Sequence, residues 1–205
     1  MNYIEATHWR DAEGWRWPHF TPQEMACRGT GKIKIASELM DKLEALRAAV
    51  GKPLRVNSGY RSPEYNATLE GAAPKSEHVQ GRAVDISMAG HDPAEFYAVA
   101  RSIGFRGFGF YPEPHNNFMH LDIGAARTWG RPGAWGIDPR SSVKSLARKS
   151  GFGMSAASVA GETAQQVAYQ AQAISDISEW IRIGAAAIGA VGLLLILYST
   201  LGGKK

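Results

Sequence analysis

The sequence predicts an α+β domain, a small antiparallel sheet with flanking helices, followed by a linker and a C-terminal apolar helix. Three observations carry this. Arg82 to Ser87 and Phe118 to Ile123 alternate with the period of a strand. Two stretches beginning near Ser37 and Asp92 have helical spacing with start and stop signals. From Gly130 the composition turns to Ser, Ala and Gly and then to a run without charge.

In chain order, residues 1–35 hold Trp9, Trp15, Trp17 and Phe20 among Gly and Pro without a helical period, which reads as loop with short pieces. These aromatics either pack across the core or line a sugar-binding surface. Ser37 reads as the cap of a helix with Leu39, Leu43, Leu46 and Val50 on its apolar face, stopped at Gly51 with Pro53 beyond. Leu54 to Ser58 reads as a short strand. A second helix starts at Asp92, with Pro93 at its first position and Glu95 placed for a capping box. It turns Phe96, Val99 and Ile103 inward and ends at Gly104. Gly107 to Tyr111 is strand-like, and Pro112 to Asn117 loops into the next strand.

The chain has 205 residues, enough for one domain of ordinary size plus an appendage. The expected organisation is a domain over 1–140, a flexible linker over 141–162, an amphipathic helix over 163–182 and a transmembrane helix over 183–201. The amphipathic stripe is Val167, Gln170, Ile174, Ile177 and Ile181. The last segment, Ile183 to Leu201, has 19 residues without charge, bounded by Arg182 and Lys204-Lys205. At ~1.5 Å per residue it approaches the ~30 Å hydrocarbon thickness of a bilayer. The alternative is a buried core helix. Gly184, Ala185, Gly189 and Gly192 would let such helices self-associate.

The lone Cys27 excludes an internal disulfide and a cysteine-based metal site. The first residues lack the basic and apolar regions of a secretory signal, so none is expected. The formal charge of +4 falls within residues 1–149, because residues 150–205 balance. That excess suits a polyanionic partner but is not concentrated as in a nucleic-acid reader, so no nucleic acid is expected.

The candidate site gathers around Ser76 to Ile86 and Phe118 to Asp122. His78 and Asp85 stand seven positions apart, and His120 follows on a distant strand. Two imidazoles and one carboxylate suit a catalytic zinc, which takes three protein ligands and keeps a fourth position for water. Val84 and Ile86 share one strand face and Ala83, Asp85 and Ser87 the other. Met119, Leu121 and Ile123 oppose His120 and Asp122 in the same way. Each strand is expected to bury one face and present polar groups from the other, with Gly81 turning the chain so that His78 approaches Asp85.

The pattern Ser76-x-His78-x-x-Gly81-x-Ala83-x-Asp85, with the later His120-x-Asp122, resembles the zinc D-Ala-D-Ala carboxypeptidase and L-alanyl-D-glutamate endopeptidase family. Ser58-Gly59-Tyr60-Arg61-Ser62-Pro63-Glu64-Tyr65-Asn66 is similar to that family's Ser-Gly-Tyr-Arg segment, and the resemblance runs from about Phe20 to Trp129. It implies His78, Asp85 and His120 as ligands of Zn2+, and Arg61 as the group that binds substrate or the oxyanion. Tyr65, Asn66 and Ser76 are the further substrate-side candidates, or supports of their loops. Many members carry an acid three residues before the second metal histidine; here Asn117 stands there, and an amide cannot take a proton from water at neutral pH. Asp122 is then the first candidate for general base, able either to reach the site or to orient a ligand imidazole. His115 is the second and Glu113 the third.

The implied substrate is a peptidoglycan peptide, cut beside D-Ala or between L-Ala and D-Glu. With the apolar C-terminal segment and no secretory signal, the chain is similar to a phage or prophage endolysin. Such an enzyme would be held at the inner membrane with its domain cytoplasmic until lysis. The charge at the C-terminal flank argues instead for a domain on the periplasmic face. A host membrane-tethered cell-wall peptidase and an inactive wall-binding or virion-associated membrane protein are the other readings.

Overall fold

A computed structural model describes residues 1–114 and 116–141 of the chain. The linker, the amphipathic helix and the transmembrane helix expected beyond that point lie outside the described residues, as does His115. No helix among the described residues is long and apolar enough to cross a membrane.

The chain opens with β1 (Tyr3–Ala6), a 3-10 turn at Trp9–Asp11 and the short helix α1 (Pro22–Met25). β2 (Ile33–Ala36) pairs antiparallel with β1. This two-stranded sheet lies where the sequence reads as loop: each strand has only four residues, and its partner is about thirty positions away. The N-terminal aromatics choose packing. Trp17 and Phe20 are buried, Trp9 and Trp15 lean on the core, and the Trp17 indole donates to Asp41 at 2.7 Å.

α2 (Ser37–Val50) follows β2 without a break. Ser37 does not cap it. Ala36 is still paired with Tyr3 in the sheet, so Ser37 is already helical and its N–H is satisfied by the carbonyl of Asn2 at 2.9 Å. The helix ends at Gly51 in the left-handed conformation, as expected. β3 (Val56–Ser58), α3 (Pro63–Asn66) and β4 (Ala83–Ser87) come next. α4 (Pro93–Ile103) is capped by Asp92, which accepts from the Glu95 N–H at 2.8 Å. The reciprocal bond of a capping box forms instead at Thr21 and Glu24, ahead of α1. β5 (Gly107–Tyr111), β6 (Phe118–Asp122) and β7 (Arg127–Gly130) follow, and a 3-10 turn at Pro132–Trp135 completes the order among the described residues.

The main sheet runs β3-β4-β6-β5-β7. Its first four strands are antiparallel, as the sequence predicts, and β7 adds a parallel edge to β5. Register sorts the side chains into two faces. Val84, Leu121 and Phe108 align in one row and Ile86, Met119 and Phe110 in the next. These rows, together with Leu39, Met40, Leu43 and Leu46 of α2 and Phe96, Tyr97 and Val99 of α4, form the core. Each such side chain taken from water contributes about 1.5–3 kcal/mol. The other face presents the polar groups, as expected. It is buried as well: Asp85 is 5 %, His120 6 % and Asp122 0 % exposed.

Gly81 makes the turn that carries His78 back toward β4, with φ of 68°. Its carbonyl accepts from Ala36 at 2.9 Å, tying the turn to the end of β2. A Cβ there would overlap the Lys34 carbonyl. Gly81→Ala is therefore expected to lower the unfolding free energy by about 1–3 kcal/mol, through both the left-handed backbone and the collision. A denaturant titration measures this, and an unchanged midpoint would refute the close approach.

Candidate metal centre

The polar face of the main sheet is laid out by the same register. Asp85, His120, Gly109 and Trp129 fall in one row across β4, β6, β5 and β7. Ala83, Asp122, Gly107 and Arg127 form the row on one side, and Ser87, Phe118 and Tyr111 the row on the other. His78 reaches this face from the turn before β4. Ser76 builds that turn: its hydroxyl accepts from the His78 N–H at 3.3 Å and its carbonyl from Val79 and Gln80.

His78, Asp85 and His120 come together as the sequence predicts, each able to offer one ligand atom to a common metal ion. The Gly59 carbonyl lies 2.7 Å from His78 Nδ1. A carbonyl only accepts, so Nδ1 carries the hydrogen and Nε2 turns its lone pair inward. Asp122 Oδ2 lies 3.0 Å from His120 Nε2, which fixes the hydrogen there and frees Nδ1 for a metal. The facing atoms are His78 Nε2, His120 Nδ1 and Asp85 Oδ1, separated by 3.1, 2.9 and 3.2 Å. A tetrahedral zinc with bonds of about 2.0–2.1 Å has ligand atoms roughly 3.3 Å apart. Spacing, donor types and burial all fit that ion.

Burial alone would raise the Asp85 pKa, but the charge of His78 and hydrogen bonds with His120 and His78 outweigh it and hold the carboxyl far below its ordinary range. Burial pushes His78 down, toward the neutral form that ligates metal. It would do the same to His120, yet hydrogen bonds to Asp122 and Asp85 win and raise that imidazole.

Arg61 stands beside the centre. Its Nη2 donates to Asp85 Oδ2 at 2.7 Å and its Nε to Ser58 Oγ at 2.9 Å. The Arg61 N–H also bonds the His78 carbonyl, and the Tyr60 N–H bonds Met25, so this loop is stitched to both flanks of the site. Ser62 caps α3 and accepts from Tyr65. Tyr65 lays its ring over Gly29, where a Cβ would have no room.

For Asn66 and Asp122 the geometry favours the supporting alternative of the two roles the sequence left open. Asn66, placed among substrate-side residues, is 3 % exposed and spends its amide on the Ala73 carbonyl at 3.1 Å, inside the loop rather than at the site. Asp122, the first candidate for general base, lies behind His120. Oδ2 meets His120 and Arg127 Nη2, while Oδ1 accepts from Gly124 N at 2.8 Å and Arg127 Nη1 at 3.1 Å. Burial opposes ionisation of Asp122, but the His120, Gly124 and Arg127 contacts prevail and keep its pKa low. Glu113 is exposed and accepts from Asn117 Nδ2 at 3.3 Å.

Sequence reasoning missed Arg127, Trp129 and Glu77. Trp129 leans over Gly109, with its indole N–H on the Tyr111 hydroxyl at 2.8 Å and its ring 4.9 Å from that of His120. Glu77 pins the metal-site turn through Arg82 at 2.7 Å. The alternation of Arg127 and Trp129 was the available signal for β7, but four residues give it little weight.

The family model of peptidase M15 matches residues 18–122, a span that holds His78, Asp85, His120 and Arg61. The peptidoglycan L,D-endopeptidase MepK of Escherichia coli (strain K12) is 39 % identical over 105 residues, which are 48 % of this chain and 57 % of that protein. The probable peptidoglycan L,D-endopeptidase MepK of Haemophilus influenzae is 38 % identical over 103 residues, 47 % of this chain and 54 % of that one. The zinc D-Ala-D-Ala carboxypeptidase of Streptomyces albus G is 38 % identical over 112 residues, 50 % of this chain and 43 % of that one. The chain thus spans about half the length of the curated relatives it matches. Since the family model covers half of the chain and the whole candidate centre, the chain belongs to the peptidase M15 family.

Proposed function

We propose that this chain is a zinc-dependent peptidase that hydrolyses a peptide bond in bacterial peptidoglycan. The observation that carries the reading is the convergence of His78 Nε2, His120 Nδ1 and Asp85 Oδ1 on one point of a buried polar face. The names of the relatives, peptidoglycan endopeptidase and zinc D-Ala-D-Ala carboxypeptidase, support the substrate class.

Bound there, zinc supplies a Lewis acid for the scissile carbonyl and a water acidified toward neutrality. The chain's own groups do the rest. Asp85 divides its oxygens between the metal position and Arg61, so the guanidinium is held beside the reacting carbonyl. Arg61 Nη1 makes no hydrogen bond among the described residues and is assigned to the substrate oxygen, where charge develops in the transition state. Asp122 holds His120 in the tautomer that leaves Nδ1 free, and acts as a positioning residue. The proton acceptor then falls to the segment between β5 and β6, with His115 ahead of Glu113. His78→Ala, Asp85→Ala or His120→Ala should each remove bound zinc and abolish release of new amines from purified sacculi, as should chelation of the parent protein. Cleavage by His120→Ala in excess chelator would overturn the zinc reading.

Asp122 separates two roles. As a positioning residue, Asp122→Asn should weaken zinc binding by about 10–100-fold while zinc-loaded protein keeps most of its turnover. A kcat loss of about 10²-fold or more at unchanged zinc affinity would restore Asp122 as the base.

The uncharged segment 183–201 supports a membrane-held form of the enzyme, and with it the endolysin reading in which the domain meets the wall at lysis. A host peptidase tethered at the periplasmic face shares that segment. The full chain should sediment with membranes, whereas a chain ending at Ser150 should stay soluble and still cut purified sacculi. Before lysis, protease added to intact spheroplasts should leave the domain uncut; digestion at that stage favours the tethered host enzyme.

A further inference from the structure

We propose that Gly107 and Arg127 are positioning residues for the metal ligand His120, acting through Asp122. This rests on the metal centre described above and on no particular substrate. Gly107 is the Cα partner of Asp122 across β5 and β6. A Cβ on Gly107 would fall on the Asp122 carboxylate, inside van der Waals contact of both oxygens. The obstacle to a larger residue there is that carboxylate, since Gly107 does not adopt the left-handed backbone that requires glycine.

Arg127 closes the arrangement from the other side. It is the Cα partner of Gly107 on β7, and its fork grips Asp122 with Nη1 at 3.1 Å from Oδ1 and Nη2 at 2.7 Å from Oδ2. The Gly124 N–H adds a third donor at 2.8 Å. The carboxylate is thus pressed across the space that Gly107 leaves and held there by a rigid planar fork. Its Oδ2 can then meet His120 Nε2 at 3.0 Å, which sets the ring so that Nδ1 faces Asp85 and His78. Arg127 is 40 % exposed at its side chain, so its replacement opens no cavity in the core.

Two variants test this without changing the charge of the centre. Gly107→Ala keeps every ionisable group and displaces the carboxylate, while Arg127→Lys keeps the cation and removes the fork. Zinc affinity is read by competition with a chromophoric chelator, and ligand geometry by the visible bands of the Co2+-substituted protein. Both variants should bind zinc about 10–100-fold more weakly than the parent, with altered Co2+ bands. The double variant Gly107→Ala with Asp122→Ala should bind no more weakly than Asp122→Ala alone, because both changes act through one contact. Parent-like affinity and spectrum in either single variant, or full additivity in the double variant, overturns the proposal. If Gly107→Ala does not fold, Arg127→Lys decides alone. No substrate enters these measurements, so failure to cut sacculi bears on the peptidase reading, and failure of the parent to bind zinc bears on the metal centre.

Discussion

His120 is held at both ring nitrogens, and the rest of the polar face is arranged to make that possible. Nδ1 faces Asp85 at 2.9 Å and Nε2 faces Asp122 at 3.0 Å, so the ring has no rotational freedom that keeps both contacts. β6 alternation puts His120 and Asp122 on one face, while Met119 and Leu121 lock the strand into the core from the other. The two demands reinforce each other. A one-residue slip of β6 would send the ligand into the core and the apolar residues out of it, so the packing that stabilises the sheet also fixes the ligand.

Two buried carboxylates carry a desolvation cost of several kcal/mol each unless they are paired. Here each has its own arginine: Asp85 with Arg61 and Asp122 with Arg127, both at 2.7 Å. The pairs cancel in charge, so the protein can fold around the centre without a cation to neutralise it. A zinc ion added to this balanced set leaves the centre with an excess of two positive charges. That excess would favour deprotonation of a water held at the metal position. Pairing each acid internally therefore serves folding first and leaves the metal's charge available for chemistry.

The ligand set was legible because it combines a specific spacing with strand alternation: His78, Asp85 and His120 needed only correct faces and one turn at Gly81 to meet. The helices at Ser37–Val50 and Pro93–Ile103 were legible from apolar spacing and terminal glycines. The β1–β2 pair was not, since its contacts join distant residues through strands of four, and Ser37 misled as a cap because β2 runs straight into the helix and the Ser37 N–H bonds the Asn2 carbonyl just ahead of β1. Burial of the polar face was equally hidden. Alternation says that Asp85 and His120 point away from the core, but not that β7, the Arg61 loop and the His78 turn cover them. Asp122 could be placed on the correct face, while its direction depended on Gly107 and Arg127, which belong to strands on the far side of β6 from Asp85.

On the peptidase reading, that direction also decides where the proton acceptor must lie. The described polar groups next to the metal position are already committed: Asp85 to the metal and Arg61, and Asp122 to His120, Gly124 and Arg127. β4 and β6 have no further acid on this face, because their remaining positions are Ala83, Ser87 and Phe118. The acceptor must then come from outside the strands, and the segment from Pro112 to Asn117 enters β6 only two residues before His120 along the same face. Asn117 cannot serve, because an amide has no basic site at neutral pH. His115 and Glu113 have the required chemistry, and Glu113 lies outside the strands that fix the metal. Asn117 leaves the three ligands and their support untouched, since His78, Asp85, His120 and Asp122 all lie outside that loop.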